Sequence, residues 1–116
     1  MLPKQFRLKK RSAFKATYKV KNSTHSGGVT LFAGIQKKED YPTKVGFVVS
    51  KKVHKRAVKR NRLKRLMREA YRLLLKENKL ANSQRFMSLI FVGTDRALGK
   101  NFPEIKTSIQ KMLERI

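Results

Sequence analysis

Asn61, Arg65, Arg68 and Arg72 recur every third or fourth residue. On a helix turning about 100° per residue they form one line, with Arg62 and Lys64 flanking it. Guanidinium groups present planar, forked donors that match phosphate oxygens and base edges, so this line suits recognition of a polyanion better than a diffuse cationic cushion does. Of the eighteen residues from Lys51 to Arg68, ten are Lys or Arg and none is acidic. A face that serves solubility alone normally mixes signs. Hydrolytic chemistry is harder to assemble. The acids are Glu39, Asp40, Glu69, Glu77, Asp95, Glu104 and Glu114. Only Glu39 and Asp40 are close in sequence, and they lie in a Pro-containing turn. Glu69 most simply offsets the Arg charge around it. His54, in "KKVHKR", has no orienting acid nearby, so a general-base role is poorly supported. His25 and His54 are too far apart for a histidine cage, and without Cys there is no thiolate site. The residues therefore point to binding without a catalytic constellation in the protein, and any metal must come with the partner.

The chain that carries this line has 116 residues, a size that suits a single domain over 1–116, and a formal net charge of +23. Such a charge repels itself unless a polyanion neutralises it, which implies nucleic acid or an anionic membrane. No run of eighteen apolar residues is present, and "MLPKQFRLKKRSAF" lacks the apolar stretch of a secretion signal, so a cytoplasmic protein is expected. A membrane-surface helix would also need its apolar face for lipid. Here that face is needed elsewhere. Leu63, Leu66, Met67, Ala70, Tyr71 and Leu74 repeat at helical spacing opposite the Arg line, a stripe suited to covering a sheet.

The sheet is legible too. "VTLFAGIQ" alternates Val29, Leu31, Ala33 and Ile35 against Thr30, Phe32, Gly34 and Gln36. "KVGFVVS" directs Val45, Phe47 and Val49 one way and Lys44, Gly46, Val48 and Ser50 the other. "FMSLIFV" at 86–92 is apolar on both faces, as a central strand would be. Residues 22–28 break a first helix that Ser12 could cap and that runs to about Val20, and they add a short edge strand. A last helix begins near Pro103 and buries Ile105, Ile109, Met112, Leu113 and Ile116. The expected fold is α+β: about four mostly antiparallel strands and three helices in the order α-β-β-β-α-β-α.

Three rings do not fit a simple core. In the first helix Ala13, Ala16, Thr17 and Val20 share the expected packing face, leaving Phe14 and Tyr18 on its flank. Phe32 is the one large apolar group on the Thr30, Gly34, Gln36 face, beside Gly46 and Ser50 if those two strands pair. One reading is a second small core beneath the helix. The other is a shallow groove in which single-stranded bases stack on the rings, which the basic surroundings favour.

"SKKVHKRAVKRNRLKRLMREAYR", with Arg60-Asn61-Arg62 near the helix start, resembles the protein component of bacterial ribonuclease P. So do "RLKKRSAFKATY" in front, "VGFVVSKK" before the motif, and the apolar strand and helix behind it. The resemblance spans nearly the whole chain. It implies that the protein binds a catalytic RNA through Lys51, Lys52, Arg60, Asn61, Arg62, Lys64, Arg65, Arg68 and Arg72. It implies a groove of Phe14, Tyr18, Thr30, Phe32 and Ser50 for the 5′ leader of precursor tRNA. It also implies that Mg²⁺ is held by the RNA, that the protein is monomeric outside the ribonucleoprotein, and that a left-handed strand-helix-strand crossover surrounds the basic helix. Sequence rules alone would favour the right hand. The chief alternative is a structural RNA-binding protein such as a ribosomal component, which needs charge but no groove. A helix-turn-helix DNA binder is weaker, for want of a dimer signal or base-edge readers.

Overall fold

The computed structural model describes residues 2–116. Helix α1 spans Arg11–Lys19 and is followed by strands β1 (Asn22–Ser26), β2 (Val29–Ala33) and β3 (Lys44–Val48). Helix α2 (Ala57–Lys76), strand β4 (Ser88–Gly93) and helix α3 (Phe102–Arg115) complete the chain. The strands form one sheet in the order β1-β2-β4-β3. β1–β2 and β2–β4 are antiparallel and β3–β4 is parallel, so the sheet is mixed and mostly antiparallel. α2 is the crossover between the parallel pair, and β4 is central. Leu89, Ile90 and Phe91 are fully buried, as a strand covered on both faces requires.

β2 and β3 therefore do not pair. β4 enters between them, because the parallel β3-α2-β4 unit returns its strand to the inner side of β3. Phe32 stands beside Ile90 and not beside Gly46. Gly46 is on the same row one strand further, also opposite Ile90. The register thus keeps the groove face and changes its neighbours.

α2 and α3 cover the face carrying Val29, Leu31, Ala33, Val45, Leu89 and Phe91. Leu63, Met67, Ala70, Tyr71 and Leu74 are buried as the stripe predicts, while Leu66 is only half-buried at its margin. Phe47 stacks on Phe91 at 5.7 Å between ring centroids, and Tyr71 closes against both. Burial pushes the Tyr71 phenol up to about 12, partly opposed by the hydrogen bond it accepts from Gln84 at 3.0 Å. It therefore packs as a neutral group. α3 starts at Phe102, one residue before the expected Pro103. Asn101 and Glu104 form a reciprocal capping box there, each side chain accepting the other's backbone N–H.

α1 differs more from expectation. Its N-cap is Lys10 with no side-chain cap, so Ser12 lies inside the helix and does not start it. Of the expected packing face only Thr17 is fully buried; Ala16 and Val20 are exposed. The reason is the floor beneath. A Cβ on Gly46 would come within 2.6 Å of the Phe14 ring, so glycine there lets the ring rest on the sheet. Thr17 donates to the Ala13 carbonyl at 2.8 Å and meets Ser88 Oγ at 2.6 Å. Both strand patterns also run past their strands. β2 stops at Ala33, and Ile35, expected in the core, is 56% exposed. The basic leader is part of the fold: Leu2 is buried, and Leu8 N–H donates to Val45 at 2.9 Å along the outer edge of β3.

Candidate nucleic-acid interface

Two candidate surfaces meet the solvent. The first is the outer face of α2. Its residues share a line as predicted, but the structure divides their work. Arg60 reaches back to the His54 and Lys55 carbonyls at 2.8 and 2.9 Å, fastening the loop before the helix. His54 Nδ1 accepts the Arg56 N–H at 3.0 Å, so this histidine orders that loop. Arg62 donates to the Leu98 and Lys100 carbonyls at 3.2 and 3.3 Å, which ties the segment after β4 to α2. An arginine has five N–H donors, so both guanidiniums keep some for a ligand. Arg72 pairs with Glu69 at 3.0 Å, and that hydrogen bond holds the Glu69 carboxyl below the usual range. Among the described residues Arg65 and Arg68 make no side-chain ion pair. Arg65 and Asn61 are exposed, while Arg68 is half-buried and borders the outer edge of β3 with Phe14. Lys64 is half-buried, and Lys51 and Lys52 are exposed in the turn after β3.

The second surface is the sheet face under α1. Register places Ser23, Phe32, Ile90 and Gly46 in one row across it, and His25, Thr30, Val92 and Val48 in the next. α1 covers the first row. Phe14 rests over Gly46, and Tyr18 meets Phe32 edge-on, with centroids 4.9 Å apart and planes at 81°. Tyr18 is 36% exposed, and Phe14, Thr30 and Phe32 are half-buried. Each of the three rings thus keeps part of its surface open to solvent. The second row remains open, and Ser50 follows β3 at the end where Val48, Val92 and Thr30 lie. Val48, Val92 and His25 were not assigned to this surface from sequence. The alternation had already put Val48 on the Gly46 face; Val92 needed the pairing.

The end of this groove is held by a turn that only glycine allows. Gly28 has φ +87°, and a Cβ there would lie 2.7 Å from the Ala97 nitrogen. Its carbonyl accepts from both the N–H and the Oγ1 of Thr94, at 2.9 and 2.6 Å, so the β1–β2 hairpin is locked to the segment after β4. His25, Thr30, Asp95 and Arg96 surround the resulting hollow.

The carboxylates are dispersed. Glu69 pairs with Arg72, Glu77 with Lys106 at 3.0 Å, and Glu104 caps α3. Glu39 and Asp40 are exposed in their loop. Among the described residues no three His, Asp or Glu side chains converge to hold a metal ion. Nor is any helix long and apolar enough to cross a membrane.

Comparisons with known proteins identify the family. The family model described as Ribonuclease P matches residues 2–116. The ribonuclease P protein component of Synechococcus sp. (strain JA-2-3B'a(2-13)) is 35% identical over 120 residues, covering 99% of this chain and 84% of that protein. The one from Clostridium kluyveri is 33% identical over 110 residues, covering 95% and 93%. In three dimensions the Staphylococcus aureus RNase P protein superposes with a TM-score of 0.78 at 25% identity, covering 97% of this chain and 95% of that one. The Thermotoga maritima RNase P protein shares the fold, with a TM-score of 0.76 at 23% identity and coverage of 95% and 96%. A family match over the described chain, joined to a basic helix on one side of the sheet and an aromatic groove on the other, places this chain in the ribonuclease P protein family.

Proposed function

We propose that the chain binds the RNA subunit of ribonuclease P through α2 and the 5′ leader of precursor tRNA through the groove beneath α1. It thereby assists RNA-catalysed removal of the leader. The observation that carries this reading is the separation of the two surfaces. A line of guanidinium groups lies on α2, while the Tyr18–Phe32 pair opens from a floor of small residues on the opposite face of the sheet. A purely structural RNA-binding protein needs only the first.

In this reading the rings take unpaired bases, Thr30 and Ser50 offer hydroxyls along the open row, and Lys51 and Lys52 attract the phosphates at its end. Binding the leader adds affinity that mature tRNA lacks, so substrate is held more tightly than product. In this reading the RNA holds the Mg²⁺ and performs the hydrolytic step, and the protein's part is to bind and position. Its net charge of +23 lowers the repulsion between two RNAs and opposes self-association, in keeping with a cytoplasmic protein that is monomeric until it meets its RNA.

Reconstitution with a bacterial ribonuclease P RNA tests the reading: adding the protein should restore leader removal at low Mg²⁺. No stimulation at any protein concentration would overturn it. The purified protein alone should not hydrolyse precursor tRNA, with or without Mg²⁺. Protein-only cleavage that is lost in His54→Ala would contradict the assignment of chemistry to the RNA. Replacing Arg65 and Arg68 by Ala should weaken binding to the RNA subunit while the protein stays folded. The log-log dependence of affinity on salt should flatten by roughly 0.7 to 0.9 for each phosphate that is no longer neutralised. An unchanged slope with normal affinity would show that both side chains face only solvent.

A further inference from the structure

A chain of adjoining hollows leaves the α2 line, rounds the start of α1 and ends on the flank of α1 away from Tyr18. It begins at Arg68, which with Arg7, Lys9 and Phe14 borders the outer edge of β3. Arg7, Leu8 and Lys9 also wall the next hollow, where Lys4, Lys10 and Lys44 join them. Leu8, Ala13 and Lys44 lead on into a third, about 340 Å³ in volume, between Ala16, Ile35 and Met87. Ile35 and Met87 then border Tyr41 and Lys38. The far end is unusually apolar for so charged a protein. Ile35, Tyr41 and Met87 are 56%, 59% and 44% exposed.

We propose that this trough carries an unpaired strand of the same RNA that α2 holds, with phosphates along its lysines and arginines and a base in the Ile35–Met87 hollow. The inference rests on the reading of α2 as an RNA-binding helix. A second copy of the chain is a poor occupant, because it would bring another +23 to a surface already lined by cations. The hollow is of the size that takes small planar ligands, and an exposed Tyr ring beside it offers a stacking face. Glu39 lies beside Tyr41, so the end of the trough is its least basic part and suits a base better than a phosphate. An acidic peptide would satisfy the lysines as well, but the trough starts at Arg68 on the α2 line, which makes the RNA bound there the occupant. The trough touches the proposed leader groove only at Phe14 in its first hollow, and its Ile35–Met87 end lies along Ala13 and Ala16, on the flank of α1 away from Tyr18.

The test uses the protein reconstituted with a bacterial ribonuclease P RNA transcript. An Ile35→Glu, Met87→Glu double variant changes two exposed side chains and should remain folded, with its melting temperature as the check. Its affinity for the RNA subunit should fall by roughly five- to a hundredfold, the loss of one stacked base. Its preference for precursor over mature tRNA should be unchanged. A benzophenone amino acid in place of Tyr41, in the otherwise unaltered protein, should cross-link to the RNA subunit whether or not tRNA is present. Adducts on the leader alone, or none on the RNA subunit, would overturn the proposal, as would full RNA affinity in the double variant. Arg65→Ala separates the two readings. If it weakens RNA binding while the double variant does not, only the trough fails; if it too has no effect, the reading of α2 fails.

Discussion

Replacing Tyr18 by Ala is expected to weaken precursor tRNA binding to the reconstituted holoenzyme by roughly five- to a hundredfold. Base-on-ring stacking contributes about 1 to 3 kcal/mol, and each 1.4 kcal/mol is a factor of ten. Tyr18 is the clearest of the three rings to test because it is exposed to 36% and its main aromatic contact is the edge-on pair with Phe32. Mature tRNA, which has no leader, should bind as before. The RNA subunit should too, since Tyr18 lies away from the Asn61, Arg65, Arg68 and Arg72 line. Phe32→Ala should behave similarly. Phe14→Ala should add a loss of stability, because its ring rests on Gly46 and fills the space under α1. If the rings were core, a Phe→Ala change would cost about 3 to 5 kcal/mol and all binding would fall together. Affinities for both tRNAs, measured beside thermal unfolding, decide between the two. A large drop in melting temperature with equal losses for precursor and mature tRNA would sink the leader groove.

The second large effect is on folding. Met67→Asp should abolish cooperative unfolding and every RNA-binding activity with it. Met67 is fully buried on the core face of α2, so the new carboxylate would lie among apolar side chains. Burying an unpaired charge costs several kcal/mol even after relaxation, against a total stability of about 5 to 15 kcal/mol for a domain. Leu66→Asp should be milder, because Leu66 is half-buried at the margin of the stripe and an acid there can turn toward water. That order is the measurement to make, by denaturant melts of both variants. A folded Met67→Asp protein, or a greater loss for Leu66→Asp, would show that α2 meets the sheet at a different angle.

Periodicity alone specified much of this molecule. The stripe from Leu63 to Leu74 and the Arg line opposite it follow from the geometry of a helix, because residues three and four apart must share a face whatever they pack against. The apolar run at 86–92 marked the central strand for a similarly local reason: no polar face was left for water. The excess of positive charge and the scattered acids pointed to a polyanion and away from a protein-borne catalytic centre. Family resemblance, carried by the Arg60-Asn61-Arg62 helix and its flanks, implied which polyanion to propose.

Tertiary structure decided what depends on neighbours far apart in sequence. Which strands pair is one such matter. Alternation assigns faces to Phe32 and Gly46 but cannot say that β4 lies between them, since pairing is set by the α2 crossover. The packing of α1 is another. Its small residues looked like the contact face, yet Gly34, Gly46 and Ser88 beneath made room for Phe14 and Thr17 and left Ala16 and Val20 outside. The tasks of the arginines were likewise invisible along the chain. Arg60, Arg62 and Arg65 are chemically alike, but backbone carbonyls lie within reach of the first two and not the third. Charge and period can be read from the chain because they act locally, whereas a hydrogen-bond partner contributed by residues 36 or 38 positions away exists only once the chain has folded.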